Sequence, residues 1–434
     1  MKDTRHKALL IIDDVLNKGA FLNEQLAIAK RDMSSSDYHL TVAIATGVVQ
    51  NKLLLTNVIR KHSSLRLKKI HPMILNILML SVYQLFFLDG VPDHAVVDEG
   101  VKLAKRYGNK GSVGFTNAVL RAIVRDKDAI VASEFYTDDL SLVDRLSIQT
   151  SHPVTWVEYF LNDHDVEFVE ALLRANNQKP EVCIRVNTNK ISREALAKLL
   201  ATSGFKTEPT QRSAFGLRVP EAAGLFETDL FNKGYFYVQD EASMLVAEKA
   251  DPPKKVLDMC AAPGGKTIAT QLCYPDAQIY SGDVSKNKVE RLKSNLKRMG
   301  LNSDRVFLGN GEIYNEHFKN RFDLVLLDAP CSGLGLIRRK PEIKFNRTPE
   351  DIKGLSKIQS RLLSNAAKYV RINGEILYTT CTMTTEENEA VVEAFLNDNP
   401  QFVVMPIEGA MTYKLYPHRD GTDGFSMTKL VRVR

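Results

Sequence analysis

VLDMCAAPGGKT, from Val256 to Thr267, reads as an apolar strand ending on Asp258 and Met259, a loop of small residues, and the start of a helix. Small residues let a backbone approach a ligand closely, and the first turn of a helix presents N–H groups with no partner inside the helix. A phosphate-binding P-loop would need glycine at position 260, where Cys260 stands, and the dinucleotide pattern GxGxxG is absent too. Taken alone, Gly264-Gly265 supports no more than a tight turn.

Beyond the loop, strands and helices alternate. Val256–Met259, Gln278–Asp283, Val306–Leu308, Leu324–Asp328 and Glu375–Thr380 are candidate strands, with helices at Lys286–Arg298 and Ser356–Val370 and a last strand at Phe425–Val433. This alternation predicts a doubly wound, Rossmann-like α/β sheet with a ligand at the carboxyl ends of its strands. Asp283 closes the second strand, where a carboxylate can accept both hydroxyls of a ribose. Asn310, after the third strand, could accept from an adenine amine. Such groups suit an adenosine without a phosphate chain, as in S-adenosylmethionine.

Two further strand ends carry cysteine. Asp328-Ala329-Pro330-Cys331-Ser332-Gly333 follows an apolar run, and Tyr378-Thr379-Thr380-Cys381-Thr382 follows another. A lone buried cysteine behaves as a small hydrophobe, and Cys183 and Cys273 are read so. Two cysteines beside a methyl donor suit a particular chemistry. Carbon 5 of cytosine is too weak a nucleophile to take a methyl group directly. A thiolate added to carbon 6 makes carbon 5 enamine-like, a covalent route that divides one hard step into easier ones. A positive field from Lys266 would help form the thiolate, and Asp328 could hold a proton against the ring nitrogen at position 3. Chemistry alone leaves open which cysteine attacks.

The remaining sequence sets the context. A chain of 434 residues, 44% apolar and 25% charged, predicts two or three globular domains. Residues 1–128 read as helices throughout, with Asp13 and Asp14 on the surface of the first. Residues 129–141 read as a linker, 142–236 as an α+β subdomain, and 237–434 as the α/β domain. The apolar stretch Met73–Leu88 is broken by Asn76, Ser81 and Gln84 and falls short of the roughly 20 residues of a membrane span, so a buried helix is expected. The opening MKDTRHKALL lacks the pattern of a secretory signal. An odd count of 5 cysteines, with no CxxC pair or histidine cluster, predicts neither disulfides nor a metal site, and a cytoplasmic protein. No feature requires a dimer, and a monomer is expected.

Net charge is +6, but Lys52, Arg60, Lys61, Arg66, Lys68 and Lys69 fall in one stretch without an acid. That stretch is either an RNA-facing surface or a solvated face. Arg338, Arg339 and Lys340, shortly after Cys331, could hold the backbone flanking a target base.

Residues 238–434 resemble the RNA 5-cytosine methyltransferases with two active-site cysteines. VQDEAS (Val238–Ser243), DMCAAPGGKT (Asp258–Thr267), DAPCSG (Asp328–Gly333), IRRKPEIK (Ile337–Lys344) and YTTCT (Tyr378–Thr382) carry the resemblance. It implies S-adenosylmethionine as cofactor, held by Cys260, Ala261, Ala262, Pro263, Gly264, Gly265, Lys266, Asp283, Asn310 and Asp328. It implies Cys381 as nucleophile and Cys331 as the residue that assists release. Asn310 departs from the family, which usually has aspartate there, so an altered cofactor contact is expected. Residues 1–128 resemble the NusB-type helical RNA-binding domain through Pro92–Arg121 and the basic stretch. The combination is similar to the bacterial RsmB (Fmu/Sun) type, which implies methylation of one cytosine in 16S small-subunit ribosomal RNA. The alternatives are the same chemistry on transfer RNA, a small-molecule methyltransferase, or a non-catalytic RNA-binding or ribosome assembly factor.

Overall fold

The computed structural model describes residues 4–434. Its described residues divide into a helical unit, 4–178 with Ile337–Asn346, and an α/β unit, Lys179–Leu336 with Arg347–Arg434.

The helical unit is built around Pro72–Phe87, the buried helix expected from sequence, with proline in its first turn where the missing N–H costs nothing. Helices Thr4–Lys18, Ser35–Gln50, Lys52–His62, Asp93–Tyr107 and Lys110–Arg125 share its core, in which Leu9, Ile12, Ile44, Val48, Ile77, Leu80, Val96 and Leu120 are fully buried. The three polar residues of the central helix are buried yet partnered, as buried polar groups must be. Ser81 Oγ donates to the Ile77 carbonyl, Gln84 Nε2 to the Leu80 carbonyl, and Asn76 Nδ2 to Asp13 Oδ1 at 3.2 Å. Asp13 is therefore buried rather than on the surface, because it receives this amide and that of Asn17. Among the described residues no single helix is long and apolar enough to cross a membrane.

Residues 129–141, expected as a linker, are held against this core. Ile130 and Thr137 are fully buried, and the Phe135 carbonyl accepts from Asn57 Nδ2 at 2.8 Å. The helix Lys127–Ala132 is too short to show a period, and Glu134, Phe135 and Tyr136 follow it at positive φ, a conformation no pattern of apolar residues signals. Helices Leu142–Gln149, Val154–Asp163 and Val166–Ala175 also belong to the helical unit, although 142 was read as the start of the α+β subdomain.

Ile337–Asn346 packs in the helical unit as well. Lys344 is completely buried there; its ammonium donates to the Gln50 carbonyl at 2.8 Å and Asn177 Oδ1 at 3.0 Å, and its carbonyl accepts from Trp156 Nε1 at 3.1 Å. Burial pushes Lys344 down to about 7. Glu342 accepts from the Leu22 N–H at 3.2 Å.

The α/β unit begins with a small antiparallel sheet. Its strands are β1 (Val182–Val186), β2 (Glu208–Pro209), β3 (Gly216–Val219) and β4 (Phe236–Val238), in the order β2-β3-β1-β4. Helix Arg193–Thr202 closes its core through Leu196 and Leu200. The large sheet follows: β5 (Lys255–Asp258), β6 (Gln278–Asp283), β7 (Val306–Leu308), β8 (Phe322–Asp328), β9 (Val370–Thr380), β10 (Phe402–Met405), β11 (Tyr413–Leu415) and β12 (Phe425–Arg432). Its order is β10-β12-β9-β8-β5-β6-β7, with β11 on β12; β5 to β9 are parallel and β12 is antiparallel to β9. The two central strands are buried on both faces. Leu257, Val325 and Leu327 enter one core while Val256, Leu324 and Leu326 enter the other. The chain leaves β5 in one direction for β6 and β7 and in the other for β8 and β9. The crevice therefore opens where β5 and β8 end, the position at which open α/β sheets take ligands.

Candidate active site

The loop after β5 is shaped by close approach. Gly264 has φ +115°, and a Cβ there would lie 2.7 Å from Leu292 Cδ1; one on Gly265 would meet Gln239 Nε2 at 3.2 Å. The loop is tied to the neighbouring strand ends. The Ala261 N–H donates to the Gly282 carbonyl at 2.9 Å, and the Ala262 N–H to Asp283 Oδ2 at 3.3 Å. Asp283 also receives the Ser285 N–H on Oδ1 at 3.1 Å. Asp258 is fully buried, accepts from Thr267 Oγ1 at 2.7 Å, and leaves Oδ1 without a partner. Burial raises its carboxyl to about 7. Cys260 is held neutral, since burial pushes its thiol up. Asn310 is exposed, with its amide oxygen accepting from the Glu312 N–H at 3.0 Å; one lone pair is thus used within its own turn. A cavity of about 440 Å³ lies beneath residues 309–318, beside Phe307 and Tyr369, and of the candidate cofactor residues only Asn310 lines it.

Across the crevice, Lys266 Nζ is 2.6 Å from Asp328 Oδ2, and Asp328 Oδ1 accepts from Thr379 Oγ1 at 3.1 Å. Cys331 and Cys381 converge, Sγ to Sγ, at 3.0 Å, both as free thiols. The hydrogen bond to Cys381, with burial, raises Cys331 well above the usual thiol range. Either sulfur can donate in this contact. The two loops touch through glycine. The Gly335 N–H donates to the Cys381 carbonyl at 3.0 Å, and a Cβ on Gly335 would lie 2.0 Å from the Gly424 carbonyl oxygen.

The structure brings Cys331, Cys381, Asp328, Lys266, residues 260–265, Asp283 and Asn310 into one unit. Arg60, Lys61, Arg66, Lys68 and Lys69 are exposed on the helical unit, where Arg60 reaches Asn57 and Lys61 lies over the Tyr136 ring. Lys52 is drawn out of that group by packing over Phe345 at 4.7 Å. Arg338, Arg339 and Lys340 are half-buried in the segment that packs in the helical unit. Sequence reasoning missed Glu387 and Gln359, which support both cysteine loops. Glu386-Glu387-Asn388-Glu389 reads as a solvated helix start, and nothing local marks its second carboxylate as buried.

Residues 244–431 match the family model described as 16S rRNA methyltransferase RsmB/F, residues 2–125 the NusB family, and residues 152–225 a ferredoxin-like domain of RsmF/B-like methyltransferases. The chain is 33% identical over 414 residues to the probable ribosomal RNA small subunit methyltransferase B of Bacillus subtilis (strain 168), covering 92% of this chain and 91% of that protein. The chain belongs to that family. The ribosomal RNA small subunit methyltransferase B of Citrobacter koseri is 30% identical, with 99% of each chain covered. A methyltransferase homolog protein from Pyrococcus horikoshii, known as a crystal structure, is 29% identical with TM-score 0.59, covering 68% of this chain and all of its own. The crystal structure of PH0851, 24% identical with TM-score 0.80 over 98% of both chains, shares the fold.

As a member of the small subunit methyltransferase B family, the protein is a methyltransferase that uses S-adenosylmethionine. Its residues fit that cofactor. Asp258 Oδ1 is a buried acceptor without a partner at the end of β5, beside the small-residue loop. Lys266, engaged with Asp328, is not free to hold a phosphate chain.

Proposed function

We propose that this methyltransferase modifies carbon 5 of one cytosine in small-subunit ribosomal RNA through a covalent cysteine–cytosine adduct. The observation that carries this reading is the 3.0 Å contact between Cys331 and Cys381 at the ends of adjacent parallel strands, beside Asp328 and Lys266. A methyltransferase acting on a nitrogen, an oxygen or a protein side chain has no use for two thiols there. The cofactor, held by residues 260–266, Asp283, Asn310 and Asp328, supplies a sulfonium methyl electrophile. Cys381 adds to carbon 6 as its thiolate while Asp328 holds a proton at the ring nitrogen, and carbon 5 becomes nucleophilic. After methylation a base takes the carbon 5 proton, the ring double bond re-forms, and Cys381 leaves as thiolate. Cys331 assists that departure by giving a proton to the leaving sulfur of Cys381.

A base inside a duplex hides both carbons, so the target cytosine must be unpaired or extruded. The exposed basic residues Arg60 to Lys69 hold surrounding phosphates, and we place the protein in the cytoplasm as a monomer with separate helical, α+β and methyltransferase domains. The test is methyl transfer from labelled cofactor to unmodified small-subunit rRNA, with total tRNA in parallel and bisulfite mapping of the product. A single 5-methylcytosine in rRNA supports the proposal, and label in tRNA alone moves the substrate. Cys381→Ala should abolish transfer and trapping together, whereas Cys331→Ala should accumulate an adduct stable to denaturant. Near-normal transfer by Cys381→Ala refutes its assignment.

A further inference from the structure

Glu387 has no part in the reaction as described, yet it is the best-connected side chain around the thiols. It is fully buried, and a carboxylate persists in such a place only when its oxygens are satisfied. Oε1 accepts from the Ser332 N–H at 2.8 Å and Gln359 Nε2 at 3.0 Å; Oε2 accepts from Ser332 Oγ at 2.5 Å and Thr384 Oγ1 at 2.9 Å. The Gln359 amide also donates to the Pro330 carbonyl at 2.9 Å, and Ser332 Oγ lies 3.0 Å from Thr382 Oγ1. Pro330 and Ser332 flank Cys331 in the chain, and Thr382 follows Cys381. The Glu387 carbonyl in turn accepts from Tyr378 Oη at 2.6 Å, which ties the residue to β9 below Cys381. Every donor to the carboxylate comes from the two cysteine loops or from helix Pro349–Tyr369 behind them, and none from the cofactor loop.

We propose that Glu387 is a positioning residue that sets the spacing of the Cys331 and Cys381 loops and so places Cys331 for the release of product. The proposal rests on the roles assigned to the two cysteines above. Loss of the carboxylate leaves the cofactor loop intact and lets the Cys331 loop drift, so it slows release more than cofactor binding. Glutamine preserves most of the arrangement: its amide oxygen still accepts from Ser332 N–H and Gln359, and its amide nitrogen donates to a hydroxyl of Ser332 or Thr384.

The experiment compares Glu387→Ala and Glu387→Gln with the unmodified full chain in four measurements. These are cofactor affinity by calorimetry, multiple-turnover methyl transfer to small-subunit rRNA, the denaturant-stable protein–RNA adduct, and the rate at which diamide closes a Cys331–Cys381 disulfide. The last reads thiol spacing without reference to catalysis. Glu387→Ala is expected to keep cofactor affinity within about twofold. Turnover and disulfide closure should each fall about tenfold or more, with adduct accumulating, while Glu387→Gln recovers most of both rates. If Glu387→Ala does not fold, Glu387→Asp takes its place, since a carboxylate one methylene shorter cannot reach both loops. Wild-type disulfide closure in the alanine variant, or an equal fall in cofactor affinity and turnover, overturns the proposal. If Cys331→Ala yields no adduct while Glu387→Ala still slows disulfide closure, the assignment of Cys331 fails and the positioning stands.

Discussion

Replacing Lys344 by methionine should change how the stability of the helical unit depends on pH. Lys344 has no exposed surface, and burial pushes it from 10.5 down to about 7. Between those values the unfolded chain binds the proton and the folded one does not, so stability rises with pH by about 1.4 kcal/mol per unit. The contribution is absent below the folded value and complete above the unfolded one. From about pH 7.5 to about pH 9 the unmodified protein should gain about 2 kcal/mol relative to Lys344→Met. With a urea slope of about 2 kcal/mol per molar, that is a relative midpoint shift of about 1 M. Methionine keeps the apolar stem and loses the bonds to the Gln50 carbonyl and Asn177 Oδ1, which adds an offset independent of pH.

The chain supplies its own probe. Trp156 is the single tryptophan, 1% exposed, and its indole N–H donates to the Lys344 carbonyl. Its fluorescence therefore reports the unfolding of this segment. His152, fully buried nearby, is held well below 6.5 chiefly by burial, and so does not titrate in the window. Parallel stability curves for the two proteins across this range would refute the reasoning. They would mean that the two carbonyl-type oxygens keep the ammonium charged in the folded state.

Asp283→Ala removes a carboxylate that receives the Ala262 and Ser285 N–H groups; cofactor affinity by calorimetry should fall about 10- to 100-fold, and an unchanged affinity would misplace the cradle. Gly335→Ala puts a Cβ 2.0 Å from the Gly424 carbonyl oxygen and 2.8 Å from that of Cys381. Neither backbone can yield easily, so the variant should lose about 1–3 kcal/mol in urea unfolding and more of its methyl transfer than of its cofactor binding. Wild-type turnover there would show that the cysteine loops relax freely. Arg66→Ala, Lys68→Ala and Lys69→Ala, combined, should weaken rRNA binding and flatten its dependence on log salt by about 0.7 to 0.9 per lost phosphate contact; an unaltered slope makes the exposed patch a solvated face.

What the sequence disclosed follows from burial. Val256–Asp258 and Leu324–Asp328 lie between two cores, so they are continuous apolar runs that end in an acid, and both their type and their carboxyl ends could be read. The strands β10 and β11 went unread because they are short and pair at the margin of the sheet, and because Phe402–Met405 is apolar at every position and so shows no alternation in sequence. Helix Pro349–Tyr369 begins before the expected Ser356, although its start was on the page. Thr348 and Asp351 form a capping box around Pro349. Lys344 is a different case. Nothing in the local sequence IRRKPEIK marks it as buried, and only long-range partners at Gln50, Trp156 and Asn177 make it a core residue.

The candidate catalytic groups share an edge because of strand order, and they touch because of local chemistry. With β5, β8 and β9 side by side, the residues that follow them fall in a row, and Asp328 and Thr379 are direct register partners. Adjacent strands stand about 4.8 Å apart, so adjacency alone brings Lys266, Asp328 and Cys381 within reach of one base. It does not bring two thiols to 3.0 Å. That needs the chain after Cys331 to turn back on β9 closely enough for the Gly335 N–H to meet the Cys381 carbonyl, with glycine also at 424 to admit it. A substitution on the strands should therefore disturb the whole site together. One at Gly335, Gly424 or Glu387 should separate the two cysteines while leaving the cofactor cradle in place.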